Sequence, residues 1–187
     1  MKKAYILGIA GGTQSGKSTF ANELEKTLKG IKLKIFHIDH YHKPKDEWPL
    51  AKSPVTNIIY NDANQPESFD ISKLRLDIEN ENLKKEVDLI IVEGTMILYD
   101  EEIFKMLDLK LYVETRADER AIRYIDLYSQ YHGHDFIKNS YLDLVRYRMD
   151  EYVEFTKWKA DIMINGSMKS EQAVEIIKTF LLTQISN

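Results

Sequence analysis

Gly11-Gly12-Thr13-Gln14-Ser15-Gly16-Lys17-Ser18 fits the pattern GxxxxGK(S/T) at every specified position, and its flanks decide the reading of the chain. Before it, residues 4 to 10 form a nearly continuous apolar run, as expected for a central strand covered on both faces of a parallel sheet. After it, Phe20, Leu24 and Leu28 recur at four-residue spacing among Glu23, Glu25 and Lys26, and Gly30 is placed to stop the helix. In a strand–turn–helix unit of this kind, glycines let backbone N–H groups converge on phosphate oxygens, and the helix adds the positive end of its dipole. Gly11, Gly12, Thr13, Gln14, Ser15, Gly16, Lys17, Ser18 and Thr19 are therefore the expected ATP-binding residues. Lys17 would bridge the β- and γ-phosphates, and Ser18 would offer its hydroxyl to Mg²⁺.

Strand and helix patterns alternate along the rest of the chain. Further strands are expected at Leu33 to Ile38, Val87 to Val92, Leu109 to Val113 and Asp161 to Ile164. Helical spacing appears at Ile71, Leu74 and Ile78, after Asp100, from a Thr115/Asp118 capping box through Tyr128, over Tyr141 to Lys157, and at Val174, Ile177, Leu181 and Ile185. Residues 129 to 139 read as a break, and the segment from His40 to Pro66, which holds all four prolines, reads as a long irregular loop. The expected fold is α/β, an open P-loop NTPase-type sheet of about five parallel strands with helices on both faces, forming one domain over 1–187.

Composition narrows the function. A net charge of -4, from 26 Lys+Arg against 30 Asp+Glu, gives no general attraction to nucleic acid or anionic lipid. Zero cysteines remove disulfides, thiolate zinc sites and Cys nucleophiles, and fit a cytoplasmic protein. No apolar run approaches the roughly 20 residues of a membrane helix. Met1-Lys2-Lys3 and the apolar run after it imitate a signal peptide, but the glycine motif sits where a cleavage site would, which favours a buried strand.

Parallel topology brings strand ends together, so Asp39 after the second strand and Glu93 after the third are expected beside the loop, where with Ser18 they could hold one Mg²⁺. His37, His40 and His42 lack a cysteine to complete a zinc set. His40 and His42, with Tyr41, are expected to line a pocket for the phosphate acceptor. Arg120 and Arg123, three apart on one helical face, could clamp phosphates.

These motifs resemble the uridine kinase-like branch of P-loop small-molecule kinases over most of the chain. IAGGTQSGKSTFA at residues 9 to 21 is close to that family's phosphate loop, and His37-Ile38-Asp39-His40-Tyr41-His42 is similar to its strand-end segment. The resemblance implies that Asp39 is the general base toward the acceptor hydroxyl. DANQPESFD at 62 to 70 resembles the family's NFDHPDAFD, which places Asn64 and Phe69 in the acceptor pocket and puts Asn64 where the family has a sugar-binding aspartate. LIIVEGTMIL at 89 to 98 implies a magnesium-associated role for Glu93, and the segment from Leu109 to Asp118 precedes a small helical lid, approximately 120–150, that would carry Arg120 and Arg123.

The resemblance implies an ATP-dependent kinase acting on an alcohol of a small metabolite, with ATP and Mg²⁺ as cofactors, and leaves self-association into a homo-oligomer open. Two departures bear on the acceptor. The family's base-closing β-hairpin has no room between Leu83 and Val87, and the lid has Tyr124, Leu127, His132 and His134 where further arginines are expected. The short connection, with Tyr41-His42-Lys43-Pro44, also resembles nicotinamide riboside kinases, so a non-pyrimidine acceptor is the alternative. An ATP-binding regulatory protein without phosphotransfer is the reading from another class, whereas the absence of an NKxD segment argues against a GTPase.

Overall fold

The computed structural model describes residues 3–169 and 171–186. Its strands are β1 (Tyr5–Ala10), β2 (Leu33–His37), β3 (Leu50–Lys52), β4 (Ile59–Asn61), β5 (Leu89–Glu93), β6 (Leu109–Glu114) and β7 (Ile162–Asn165). Five of them form one parallel sheet in the order β2-β5-β1-β6-β7, with β1 at its centre. Each expected strand takes its place there, so the chain is an open α/β fold of the expected kind.

Alternation along the strands builds two cores. Ile6, Ile90, Val92 and Tyr112 face one side of the sheet, while Leu7, Ile9, Leu89, Ile91 and Leu111 face the other. The first side is covered by α2 (Ile71–Lys84) through Leu74 and Ile78, by α3 (Glu101–Met106) through Ile103, and by Tyr141, Val145, Met149 and Val153. The second is covered by α1 (Lys17–Thr27) and the terminal helix at Glu171–Ser186, through Phe20, Leu24, Val174, Ile177 and Leu181. Each fully buried Leu or Ile contributes about 1.5–3 kcal/mol, which explains why both faces of the central strands are apolar. Among the described residues no helix is long and apolar enough to cross a membrane.

Several local expectations are corrected. The segment from His40 to Pro66 is not wholly irregular: β3 and β4 pair antiparallel, Ala51 opposite Tyr60. Strands of three residues are too short to show alternation, and this hairpin is held from outside, by Thr56 Oγ1 and Tyr60 Oη donating to Asp143 Oδ2 at 2.6 and 2.8 Å. Strand β2 stops at His37, and Asp39 lies in a 3₁₀ turn, Ile38–Tyr41. Helix α4 (Ala117–His132) is not opened by a capping box, because the Thr115 hydroxyl is used elsewhere, donating to Ser15 O at 2.8 Å. Residues 129 to 139 are helical except at Gly133 (φ +80), which separates α4 from α5 (His134–Ser140). The helix expected over Tyr141 to Lys157 runs to Lys159 but is wound as π turns at Tyr141–Val145 and Met149–Val153 around α6 (Arg146–Arg148), tightening to 3₁₀ over Glu154–Lys159. The terminal helix is α7.

Candidate active site

The loop after β1 turns into α1 through Gly16, whose φ of +95 lies in the left-handed region that a side chain would strain. Ser15 N donates to Gly12 O at 3.1 Å, and Thr13 N reaches Met149 Sδ at 3.4 Å, so the first π turn after α6 touches the loop. Lys17 is 7% exposed, and no carboxylate among the described residues lies within ion-pair distance of it. A buried ammonium without a counter-ion is costly unless a ligand supplies the charge.

Glu93 ends β5 and is 2% exposed. Its Oε1 accepts from Ser18 Oγ at 3.1 Å and pairs with His37 Nδ1 at 2.7 Å, while Oε2 has no partner among the described residues. Ser18 and Glu93 are thus brought together as expected. Asp39 is exposed on its turn, and its carboxylate faces His42 and Tyr128. Burial, and then Asp39, push the Tyr128 phenol up in pKa.

Both arginines lie against the loop rather than at the exposed tip of the segment, residues 131–136. Arg120 is buried; its Nε donates to Thr115 O at 3.0 Å, Nη2 pairs with Glu154, and Nη1 stands beside Gly12 with no partner among the described residues. Burial pushes Glu154 up in pKa, with the Arg120 guanidinium opposing it. Arg123 Nη1 donates to Gln14 O at 3.2 Å and to Gly166 O at 3.4 Å. Of six buried side-chain polar atoms without a partner among the described residues, Ser15 Oγ, Glu93 Oε2 and Arg120 Nη1 belong to this one region. Leaving each such group unpaired costs about 1–3 kcal/mol, so their grouping makes this region the candidate site.

The acceptor-side residues are partly gathered. His42 stacks on buried Phe69 at 4.1 Å between ring centroids, with Trp48 at 5.5 Å. His40 is exposed, its ring 5.2 Å from that of His37. Tyr41 instead directs its hydroxyl to Asp77 Oδ2 at 2.9 Å. Asn64 N donates at 2.9 Å to Asp62 Oδ1, and the fully buried Asp62 is held by Arg148 Nε at 2.6 Å and Gln65 Nε2 at 2.9 Å. Sequence reasoning missed Asp62, Asp143, Arg148 and Glu154 and read Thr115 only as a helix cap. The contacts of Asp62 with Arg148, Asp143 with Thr56 and Tyr60, Glu154 with Arg120, and Thr115 with Ser15 O join residues far apart in the chain, and no local pattern signals them.

A cleft of about 210 Å³ adjoins the loop, lined by Gly16, Thr19, Glu23, Arg123, Asn165 and Met168 among others. A larger one, about 430 Å³, opens at the opposite edge of the sheet by Tyr5, Asp88 and Asp108 and holds none of the motif residues. Ligands of open parallel sheets bind at the carboxyl ends of the strands, so the smaller cleft is the nucleotide candidate.

The Phosphoribulokinase / Uridine kinase family model matches residues 55–173. The chain belongs to this family. The match begins well after the phosphate loop, so loop and family model are separate observations. Among curated members, the uridine kinase of Clostridium novyi (strain NT) is 33% identical over 201 residues, covering 95% of this chain and 94% of its own. The uridine kinase of Staphylococcus aureus (strain JH9) is 32% identical over 213 residues, covering 100% and 99%. At the level of fold, a possible uridine kinase from Bacillus stearothermophilus superposes with a TM-score of 0.58 at 18% identity, over 88% of this chain and 90% of that one. Family membership and fold together make this member a P-loop small-molecule kinase.

Proposed function

We propose that the chain transfers the γ-phosphoryl group of ATP to a hydroxyl of a small nucleoside-like acceptor. The observation that carries this is the grouping of Lys17 with three buried polar atoms at the carboxyl edge of the sheet, none of them given a counter-ion or partner among the described residues. Phosphoryl transfer asks a protein mainly for positioning and charge neutralisation, which this set can supply.

Backbone N–H groups of residues 11–19 and the Lys17 ammonium hold the phosphates, and the nucleoside end of ATP occupies the cleft by Thr19 and Asn165. The residues fit Mg²⁺, which usually binds through one or two carboxylates plus phosphates and water rather than a full protein cage. Ser18 and Glu93 would hold it, with Oε2 as the acceptor left free among the described residues. When bound, Mg²⁺ neutralises charge on the β- and γ-phosphate oxygens. Asp39, exposed toward the acceptor side, takes the hydroxyl proton. Arg120 and Arg123 would close on the phosphates from α4, Arg120 through Nη1 beside Gly12 and Arg123 from its place against Gln14 O.

The relatives' name, uridine kinase, supports a nucleoside-like alcohol. Two features favour one other than uridine. Helix α2 ends at Lys84 and β5 begins at Leu89, so the connection between them has no room for a hairpin that would read a pyrimidine edge, and the β3–β4 hairpin lies elsewhere in the chain. Asn64 offers the sugar only a neutral hydrogen bond, about half as strong as a charge-assisted one. A coupled ADP-release assay with saturating MgATP across uridine, cytidine, nicotinamide riboside, pantothenate-like alcohols and simple sugars tests both points. Acceptor-dependent turnover is expected, lowered about 10²–10³-fold or more by Lys17→Ala, with uridine and cytidine at least about tenfold below the best compound in kcat/KM. Nucleotide binding without turnover on any acceptor favours a regulatory protein. Uridine at the head of the ranking overturns the acceptor reading alone.

A further inference from the structure

Parallel pairing of β2 with β5 sets His37 opposite Glu93 at the carboxyl ends of both strands. The two side chains meet there, with His37 Nδ1 2.7 Å from Glu93 Oε1. The same oxygen accepts the Ser18 hydroxyl at 3.1 Å. A carboxylate only accepts, so Nδ1 carries the hydrogen, and both bonds fall on one oxygen of the pair. The other oxygen, Oε2, is buried and has no partner among the described residues. The two donors are tethered differently. Ser18 sits on α1 and His37 on the neighbouring strand, and the His37 ring is itself backed edge-on by His40 at 5.2 Å. Two donors from two elements hold Oε1 in place and thereby set the carboxylate plane, which a single hydroxyl bond would leave free to rotate.

We propose that His37 is a positioning residue for Glu93: its Nδ1–H bond to Oε1 orients the carboxylate so that Oε2 is presented to the divalent cation that accompanies the nucleotide. This rests on the reading of Glu93 as a metal-associated carboxylate. His37 is 27% exposed against 2% for Glu93, so it stands at the rim of the site and meets the carboxylate from there. Partners in this outer position typically change metal affinity by about 10–100-fold when removed.

The test measures metal binding directly. Mn²⁺ affinity in the presence of ADP is read by electron paramagnetic resonance, and metal-free ADP affinity by calorimetry, for the wild type, His37→Phe, His37→Asn and Glu93→Gln. His37→Phe keeps a ring in place but removes the donor; it is expected to weaken Mn²⁺ binding about tenfold or more and to leave metal-free ADP binding within about twofold. His37→Asn restores a donor and is expected to recover most of that loss. His37→Asn also keeps the test open should the bulkier Phe variant fail to fold. If Glu93→Gln weakens Mn²⁺ binding while neither His37 variant does, the positioning role is overturned and the metal reading stands. If Glu93→Gln itself leaves Mn²⁺ affinity unchanged, the metal reading falls and the role of His37 with it. Equal loss in His37→Phe and His37→Asn, with ADP binding weakened in parallel, marks a merely structural contact and overturns the proposal.

Discussion

The guanidinium of Arg120 fills the space that a side chain on Gly12 would need: a Cβ built there would overlap Nη1 and Cζ. Arg120 has little freedom to yield, being held by Thr115 O and Glu154 in a buried position. Gly12→Ala is therefore expected to cost about 1–3 kcal/mol of stability, the scale of overpacking. Urea unfolding checks it, and a double-mutant cycle with Arg120→Ala should show the two losses to be strongly non-additive.

Asp39→Asn should separate binding from chemistry. The carboxylate is exposed and holds no part of the core, so ATP affinity is expected within about twofold of wild type, while kcat falls about 10²–10⁴-fold, the usual contribution of a general base. Equilibrium nucleotide binding and steady-state kinetics decide it; a rate within twofold removes Asp39 from the proton-accepting role.

Arg148→Ala strips the buried Asp62 of its guanidinium partner at the root of the β3–β4 hairpin. Gln65 and the Asn64 amide remain as donors, but neither carries charge. A loss of about 3 kcal/mol is expected in urea denaturation, because a carboxylate then stays buried without a cation.

His42 gives the fold an acid-sensitive contribution. Burial pushes its imidazole below the ordinary value of 6.5, and the Asp39 carboxylate, the charged group facing it, opposes that shift only in part. The unfolded chain therefore takes up the proton first as pH falls. Stability from this group is present above about pH 6.5 and is lost as pH falls through the lowered folded value. His42→Phe preserves stacking on Phe69 and should flatten the stability slope below about pH 6.5 relative to wild type, measured by thermal unfolding as the pH is lowered from neutral.

Much of this protein was legible in its residues. The βα unit around Gly11 to Ser18, the five strands and the approach of Ser18 to Glu93 follow from local periodicity, a motif with fixed spacing and the rule that parallel strands end on one edge. Misreadings fell where a distant partner overrode a local pattern. Thr115 looked like a helix cap, yet its hydroxyl crosses 100 positions of chain to reach Ser15 O. The β3–β4 hairpin had no signature of its own, since its strands are three residues long and the side chains that hold it, Asp143 and Arg148, lie more than 80 positions away. Arg120 and Arg123 were readable as a pair on one helical face, but not as residues packed against the loop backbone. Nor did His37 announce Glu93, because the 56 positions between them are closed only by the register of two strands. Sequence periodicity determines which elements form and which face each one buries. The partners of a buried polar atom depend on how those elements dock, and the tertiary structure decided that because the cost of leaving such an atom unpaired is felt only after the core has closed around it.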